Sequence, residues 1–239
     1  MRIAIVSDIH GNRTAFEAVL ADLRQASPDL ILHGGDLADA GSSPAEVVDC
    51  IRELGWRGVA GNTDEALFRP ASLAEFASQA PKLQPLLAAI EEMAATTREM
   101  LGEERLAWLR GMPSAEIHAP VALVHASPGN LWRAPMPEAT DTELEAAYRP
   151  LGQPVAAYGH IHRPYIRRLA GLTVANSGSV SLSHDGDRRA AYLLVDDSGA
   201  SIRRVEYDVD REIKILRSRS FPRAEWIAKT LESGRFEMP

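Results

Sequence analysis

The chain opens on an unbroken apolar run, Ile3-Ala4-Ile5-Val6, that gives way to polar Ser7 and Asp8. Ala15, Phe16, Val19, Leu20 and Leu23 then recur at helical spacing. The alternation returns with Leu30-Ile31-Leu32 before a Gly34-Gly35-Asp36 turn, with Pro44 to Leu54 carrying Val47, Val48 and Ile51 on one face, and with Gly58-Val59-Ala60. Strand, loop and helix in repeated succession predict a parallel sheet covered by helices.

From Asp64 to about Arg110 the chain is rich in Ala, Leu, Glu and Met and is broken by Pro70, Pro81 and Pro85. This predicts several helices, forming an insertion or cap at 64–110. Apolar runs return as Val121–Val124, Val155–Tyr158, Leu172–Ala175 and Ala190–Val195, each bounded by Gly, Pro, Asn or Asp, and Ser201–Asp208 alternates as a strand does. Strands outnumber helices in this half, so a second sheet facing the first is expected. Asp210–Arg217 and Ala224–Ser233 read as closing helices. Without repeats, low-complexity stretches or a long linker, one domain spanning 1–239 is the expectation.

Composition narrows the function classes. The 239 residues are 45% hydrophobic, enough to bury a sizeable core. A net charge of −7 disfavours a general polyanion surface, so nucleic acid is not indicated as a partner. Cys50 is the only cysteine, which excludes an internal disulfide and a Cys-rich zinc site and fits a reducing, cytoplasmic setting. The N-terminus enters a strand directly, without a leader's basic stretch and apolar run, and no segment nears the roughly 18 apolar residues of a membrane span. The oligomeric state is left open.

The chemistry lies where the apolar runs end. Asp8 and His10 follow the first strand, Asp36 the second, Asn62 the third, His125 the Val121–Val124 run, and His160 and His162 the Val155–Tyr158 run. Carboxyl ends of strands are the ligand-binding edge of open α/β sheets, and residues two apart in an extended segment point the same way. Carboxylate, imidazole and amide oxygen without thiolate suit manganese, iron, nickel or zinc. Seven such groups are too many for one tetrahedral ion and suit two ions sharing a carboxylate, a pair that stabilises attacking and departing oxygens and ionises water near neutral pH.

Taken in order, Ser7-Asp8-Ile9-His10-Gly11-Asn12, Gly34-Gly35-Asp36, Gly61-Asn62-Thr63-Asp64, Val124-His125 and Gly159-His160-Ile161-His162 resemble the calcineurin-like metallophosphoesterases, over Met1 to about Val195. Asn176-Ser177-Gly178-Ser179-Val180 is similar to the late Gly-Ser turn of bacterial and archaeal members with phosphodiesterase activity. The resemblance implies an α/β fold, a four-layer α/β/β/α sandwich of two facing mixed sheets with flanking helices. It implies two divalent ions, manganese first among them, with Asp8, His10, Asp36 and His162 on one and Asp36, Asn62, His125 and His160 on the other, bridged by Asp36. It further implies hydrolysis of a phosphodiester or related small phosphate ester by a metal-bridging hydroxide, with Asp36, His125 and Asn62 in catalytic roles. Phosphomonoesterase or nucleotide phosphohydrolase activity is the alternative among enzymes, and a metal-retaining interaction scaffold without turnover is the alternative from another class.

Thr63 departs from the commoner family pattern, in which a His at that place protonates the leaving oxygen or contacts phosphate. General acid catalysis contributes roughly 10²–10⁴-fold where it operates, so an alkoxide leaving group is expected to be handled poorly. A similar subgroup lacking this His contains phosphodiesterases active on aryl diesters and a retromer subunit that acts as a scaffold. Asn12, Thr63 and Arg163 are the candidate substrate contacts, with Asn12 equally placed to cap a helix. Asp64 reads as a support for a metal ligand or a helix N-terminal charge. Arg13 and Arg133 are further candidate cations, Trp132 and Tyr165 candidate stacking groups, His33 a packed neighbour of Asp36, and His118 and His184 surface or loop residues.

Overall fold

A strand covered on both faces reads as continuous Ile, Val and Ala rather than as an alternation, and the first apolar runs of this chain have that character. The structure, a computed structural model, describes residues 1–239. Its elements begin β1 (Ile3–Val6), α1 (Arg13–Ala26), β2 (Leu30–His33), α2 (Pro44–Glu53), β3 (Arg57–Gly58), α3 (Asn62–Phe68), α4 (Ala71–Gln79) and α5 (Gln84–Arg110). They continue β4 (Ala115–His118), β5 (Val121–Val124), α6 (Asp141–Tyr148), β6 (Val155–Tyr158), β7 (Tyr165–Leu169) and β8 (Leu172–Asn176). The chain closes with β9 (Ala190–Asp196), β10 (Gly199–Val205), α7 (Val209–Ser218) and α8 (Ala224–Ser233).

Two mixed sheets of five strands result, ordered β10-β9-β1-β2-β3 and β4-β5-β6-β8-β7. β1, β2 and β3 run parallel, as do β5, β6 and β8, while β9 pairs antiparallel with both β1 and β10, β4 with β5 and β7 with β8. Ile3, Ile5, Leu32 and Leu193 of the first sheet pack against Val121, Leu123, Ala157 and Ala175 of the second. The intervening residues Ala4 and Val6 face the other way, onto Phe16 and Val19 of α1, Val47 and Ile51 of α2, and Leu101 and Leu109 of α5. On the far side of the second sheet, Ala156, Tyr158 and Val174 meet Leu144 and Tyr148 of α6. This is the α/β/β/α sandwich. Each Ile, Leu or Val fully buried in these layers contributes roughly 1.5–3 kcal/mol, so the fold does not depend on the polar side chains at the sheet edge.

Several expectations are corrected. The last two strands do not extend the second sheet: β9 returns antiparallel to β1, β10 pairs antiparallel with β9, and the two complete the first sheet. β4, β7 and α6 lie where no element was expected, and β3 pairs only over Arg57–Gly58. Within the helical stretch, Pro70 and Pro81 fall between helices, but Pro85 sits in the first turn of α5, where its missing N–H has no helical partner to lose. Gly102 (φ 68°, ψ 169°) interrupts α5 instead.

Candidate metal centre

Nine residues other than glycine adopt a left-handed φ, and five of them are Asp8 (56°), His10 (50°), Asp36 (52°), His160 (66°) and His162 (54°). Such a conformation costs on the order of 1–3 kcal/mol per residue, so the loops leaving β1, β2 and β6 keep their shape only because other bonds fix it. Asp64, fully buried, supplies several: its carboxylate accepts the N–H groups of Asp36 (2.7 Å), Leu37 (2.9 Å) and Gly61 (3.1 Å). Burial, with the Asp36 charge nearby, pushes the Asp64 carboxyl up to about 7, and the backbone donors work against that rise. The turn after β8 supplies others, with Ser179 Oγ donating to Asp8 O at 2.8 Å and Asn176 Nδ2 donating to Gly159 O. Two glycines make the approach possible: a Cβ at Gly61 would collide with the Asp36 carboxylate, and one at Gly159 with Ser7 and the Asp8 carboxylate.

The seven strand-end residues therefore meet at one rim. Asp8, His10, Asp36 and His162, all buried, place one ligand atom each within 4.8 Å of one another. His162 Nε2 is 3.2 Å from Asp8 Oδ1, and His10 Nε2 is 3.2 Å from His162 Nε2 and 3.8 Å from Asp36 Oδ2. Beside this group Asn62 Oδ1 lies 2.9 Å from His125 Nε2 and 2.8 Å from His160 Nδ1, and His125 Nε2 lies 3.5 Å from Asp36 Oδ2. Asp36 thus faces both groups through Oδ2, while its Oδ1 accepts the Thr63 N–H at 2.9 Å.

The hydrogen bonds behind the rings decide what this arrangement suits. Nδ1 of His10, His125 and His162 each turn to a backbone carbonyl, those of Asp39 (2.9 Å), Gly34 (2.8 Å) and Leu182. A carbonyl only accepts, so these nitrogens carry the proton and a neutral ring directs its Nε2 lone pair inward. Three inward lone pairs, two carboxylates and an amide oxygen are mutually repulsive and complementary to cations. Burial works against charge on His162, yet Asp8, joined by the Leu182 carbonyl and Asp36, raises the ring; burial lowers His10, only partly opposed by Asp36. Burial also opposes charge on His125, which Asp36 and Asp8 nevertheless raise, and it pushes His160 down to about 4. For Asp8 burial favours the neutral acid, but His162, with His125 and His10, reverses this and holds the carboxyl below its usual range.

Residues 1–198 match the family described as the calcineurin-like phosphoesterase superfamily domain. The chain belongs to the calcineurin-like phosphoesterase superfamily. Within that superfamily it is similar to a metallophosphoesterase from Sphaerobacter thermophilus of known structure, with 26% identity, 98% of this chain and 99% of the other covered, and a TM-score of 0.79. It is also similar in fold to the hypothetical protein PH1004 of Pyrococcus horikoshii, with a TM-score of 0.85, 20% identity and 99% of both chains covered. The uncharacterized protein MJ0912 of Methanocaldococcus jannaschii is 27% identical over 98% of each chain. These phosphoesterases are metal-dependent, and the buried Asp/His cluster supplies a donor set that fits a divalent ion.

Other residues singled out in this calcineurin-like phosphoesterase lie as follows. Asn12 caps α1, its Oδ1 accepting the Ala15 N–H at 2.9 Å and its Nδ2 donating to Ser181 Oγ. Thr63 Oγ1 is buried without a partner beside the cluster. Arg163 pairs with Glu138 at 2.6 Å and Arg13 with Glu17 at 2.7 Å. Arg133 sits 5.3 Å over the Phe76 ring, and Trp132 stacks on Phe76. The Tyr165 hydroxyl bonds Tyr158, and His33 packs at 6.2 Å from Trp108. None of the three arginines lines the cavity that opens from the cluster. His184 lies in the loop between β8 and β9, as expected, but its ring stacks on His162 at 4.5 Å, and burial and the neighbouring imidazole push it down to about 2. Asp39, pushed up to about 7 by burial, also borders the cavity. Neither has a motif around it; His184 reaches the site by tertiary approach, whereas Asp39 lies three residues beyond Asp36 on the loop after β2. No helix is long and apolar enough to cross a membrane.

Proposed function

We propose that this chain hydrolyses a phosphodiester or related phosphate ester with two divalent ions, manganese foremost, in a reducing compartment. Asp8, His10, Asp36 and His162 would hold one ion and Asp36, Asn62, His125 and His160 the other. The observation that carries this reading is the backbone anchoring of His10, His125 and His162, which turns three Nε2 lone pairs toward Asp8, Asp36 and Asn62. Bound there, the ions supply Lewis-acid polarisation of the phosphoryl group and a water ionised near neutral pH.

The chain's own residues do the rest. Asp64 and the Ser179 turn fix Asp36 and Asp8, so the ligands need little rearrangement. Thr63, standing where many relatives carry a His, offers no strong proton donor to the leaving oxygen, which must leave with most of its negative charge. Aryl esters should therefore be cleaved far faster than alkyl esters. The test is chelator-stripped protein reloaded with manganese, nickel, zinc or magnesium and assayed on nitrophenyl and alkyl mono- and diesters. Rates that fall steeply with rising leaving-group pKa are expected. Absence of hydrolysis across the whole panel with every metal would leave the interaction scaffold as the better account.

A further inference from the structure

The cavity that opens from the cluster has two unlike ends. One is formed by ligand residues, including His10, Asp36 and His162. The other is apolar, walled by Leu86, Ile90 and Met93 of α5 and by Trp226, Ile227 and Phe236 at the C-terminus. Leu86 and Ile90 are one helical turn apart and share a face of α5. The whole cavity, ligand end included, measures about 170 Å³, little more than the roughly 150 Å³ of an engineered cavity that admits benzene, so only a compact group can stand beside the phosphate. No lysine or arginine lines it, so nothing there neutralises a second phosphate or a carboxylate. The α8 side of the wall lies beyond residue 198, where the superfamily match ends. This wall is therefore built by elements outside the matched region together with the helical stretch before β4.

We propose that this apolar end is the subsite for an uncharged, ring-sized group esterified to the phosphate, which makes the substrates phosphate esters of compact apolar alcohols or phenols rather than polyphosphates. The inference rests on the phosphoesterase reading above. Transfer of such a group from water to an apolar wall is favourable, whereas a charged group moved there without a partner is opposed strongly.

The test is direct binding to the manganese-loaded protein, by calorimetry, of phenylphosphonate, methylphosphonate and 4-carboxyphenylphosphonate. None of these needs to turn over. Phenylphosphonate should bind at least about tenfold more tightly than either of the others. Leu86→Trp and Ile90→Trp, each at a half-buried position on the cavity wall, should fill the cavity and collapse that preference. Two substitutions keep the test readable if one fails to fold. Equal affinity for the phenyl and methyl ligands, a preference for the carboxylated ligand, or a phenyl preference untouched by both substitutions would overturn the subsite while leaving the phosphoesterase reading intact. Failure of all three ligands to bind the metal-loaded protein would instead overturn that reading, and the subsite with it.

Discussion

His10 Nε2 and His162 Nε2 lie 3.2 Å apart with both Nδ1 atoms already committed to backbone carbonyls. In the absence of metal only one proton fits between the rings. Burial disfavours it on both, but Asp8 raises His162 while His10 is lowered, so the proton resides on His162 facing Asp8. Metal must expel it, because imidazole ligates only when neutral. Calorimetric titration with manganese near pH 7 in buffers of different ionisation enthalpy should show release of roughly one proton or more per chain. Because His162 is raised above its ordinary value, affinity should rise as pH climbs through neutrality. Heats that do not depend on the buffer would contradict this protonation scheme.

Gly61 and Asp64 hold Asp36 from two sides. Gly61→Ala would drive a methyl group against the Asp36 carboxylate, with an overpacking penalty of about 1–3 kcal/mol. A ligand displaced by about 1 Å loses on the order of 10²-fold in rate, and that fall should appear in turnover while circular dichroism stays native. Asp64→Asn leaves one of the N–H groups of Asp36, Leu37 and Gly61 facing an amide donor and should lower manganese affinity roughly 10–100-fold. Wild-type affinity in this variant would mean that Asp36 is positioned by other bonds.

Legibility from sequence followed burial. β1 and α1 were readable because both faces of the strand and one stripe of the helix are packed, which writes Ile3-Ala4-Ile5-Val6 and the Ala15–Leu23 spacing into the chain. β4 and β7 are edge strands, half open to solvent, and their Ala-Glu-Ile-His and Tyr-Ile-Arg-Arg-Leu sequences carry no apolar run. α6 carries a local signal of its own, the Thr140 and Glu143 capping box. No local pattern tells β9 and β10 which sheet to join. Strand-end positions made the seven candidate ligands conspicuous, and Asp39 shares the Asp36 loop without a motif to mark it, whereas His184 and the apolar wall of the cavity are assembled by segments far apart in the chain.

His33 gives a pH signature separate from metal. It is buried, its Nδ1 has no partner, and burial pushes its pKa from 6.5 down to about 4. The folded state therefore prefers the neutral ring more than the unfolded state does. Its contribution is complete above about pH 6.5 and is lost as pH falls through that value toward 4, amounting to about 3 kcal/mol. Denaturant unfolding of the metal-free protein should weaken over this window, and His33→Leu should flatten the slope relative to wild type. An unchanged slope would place the acid sensitivity in other groups.

Metal-dependent hydrolysis by the paired Asp/His/Asn groups is tested most directly by titrating manganese into chelator-stripped protein and following cleavage of a bis-nitrophenyl phosphodiester. Activity should be absent at the start, rise with added metal and saturate at about two ions per chain, the stoichiometry of a two-metal centre. A rate above background that is indifferent to metal, or no rate at any metal concentration, would contradict it.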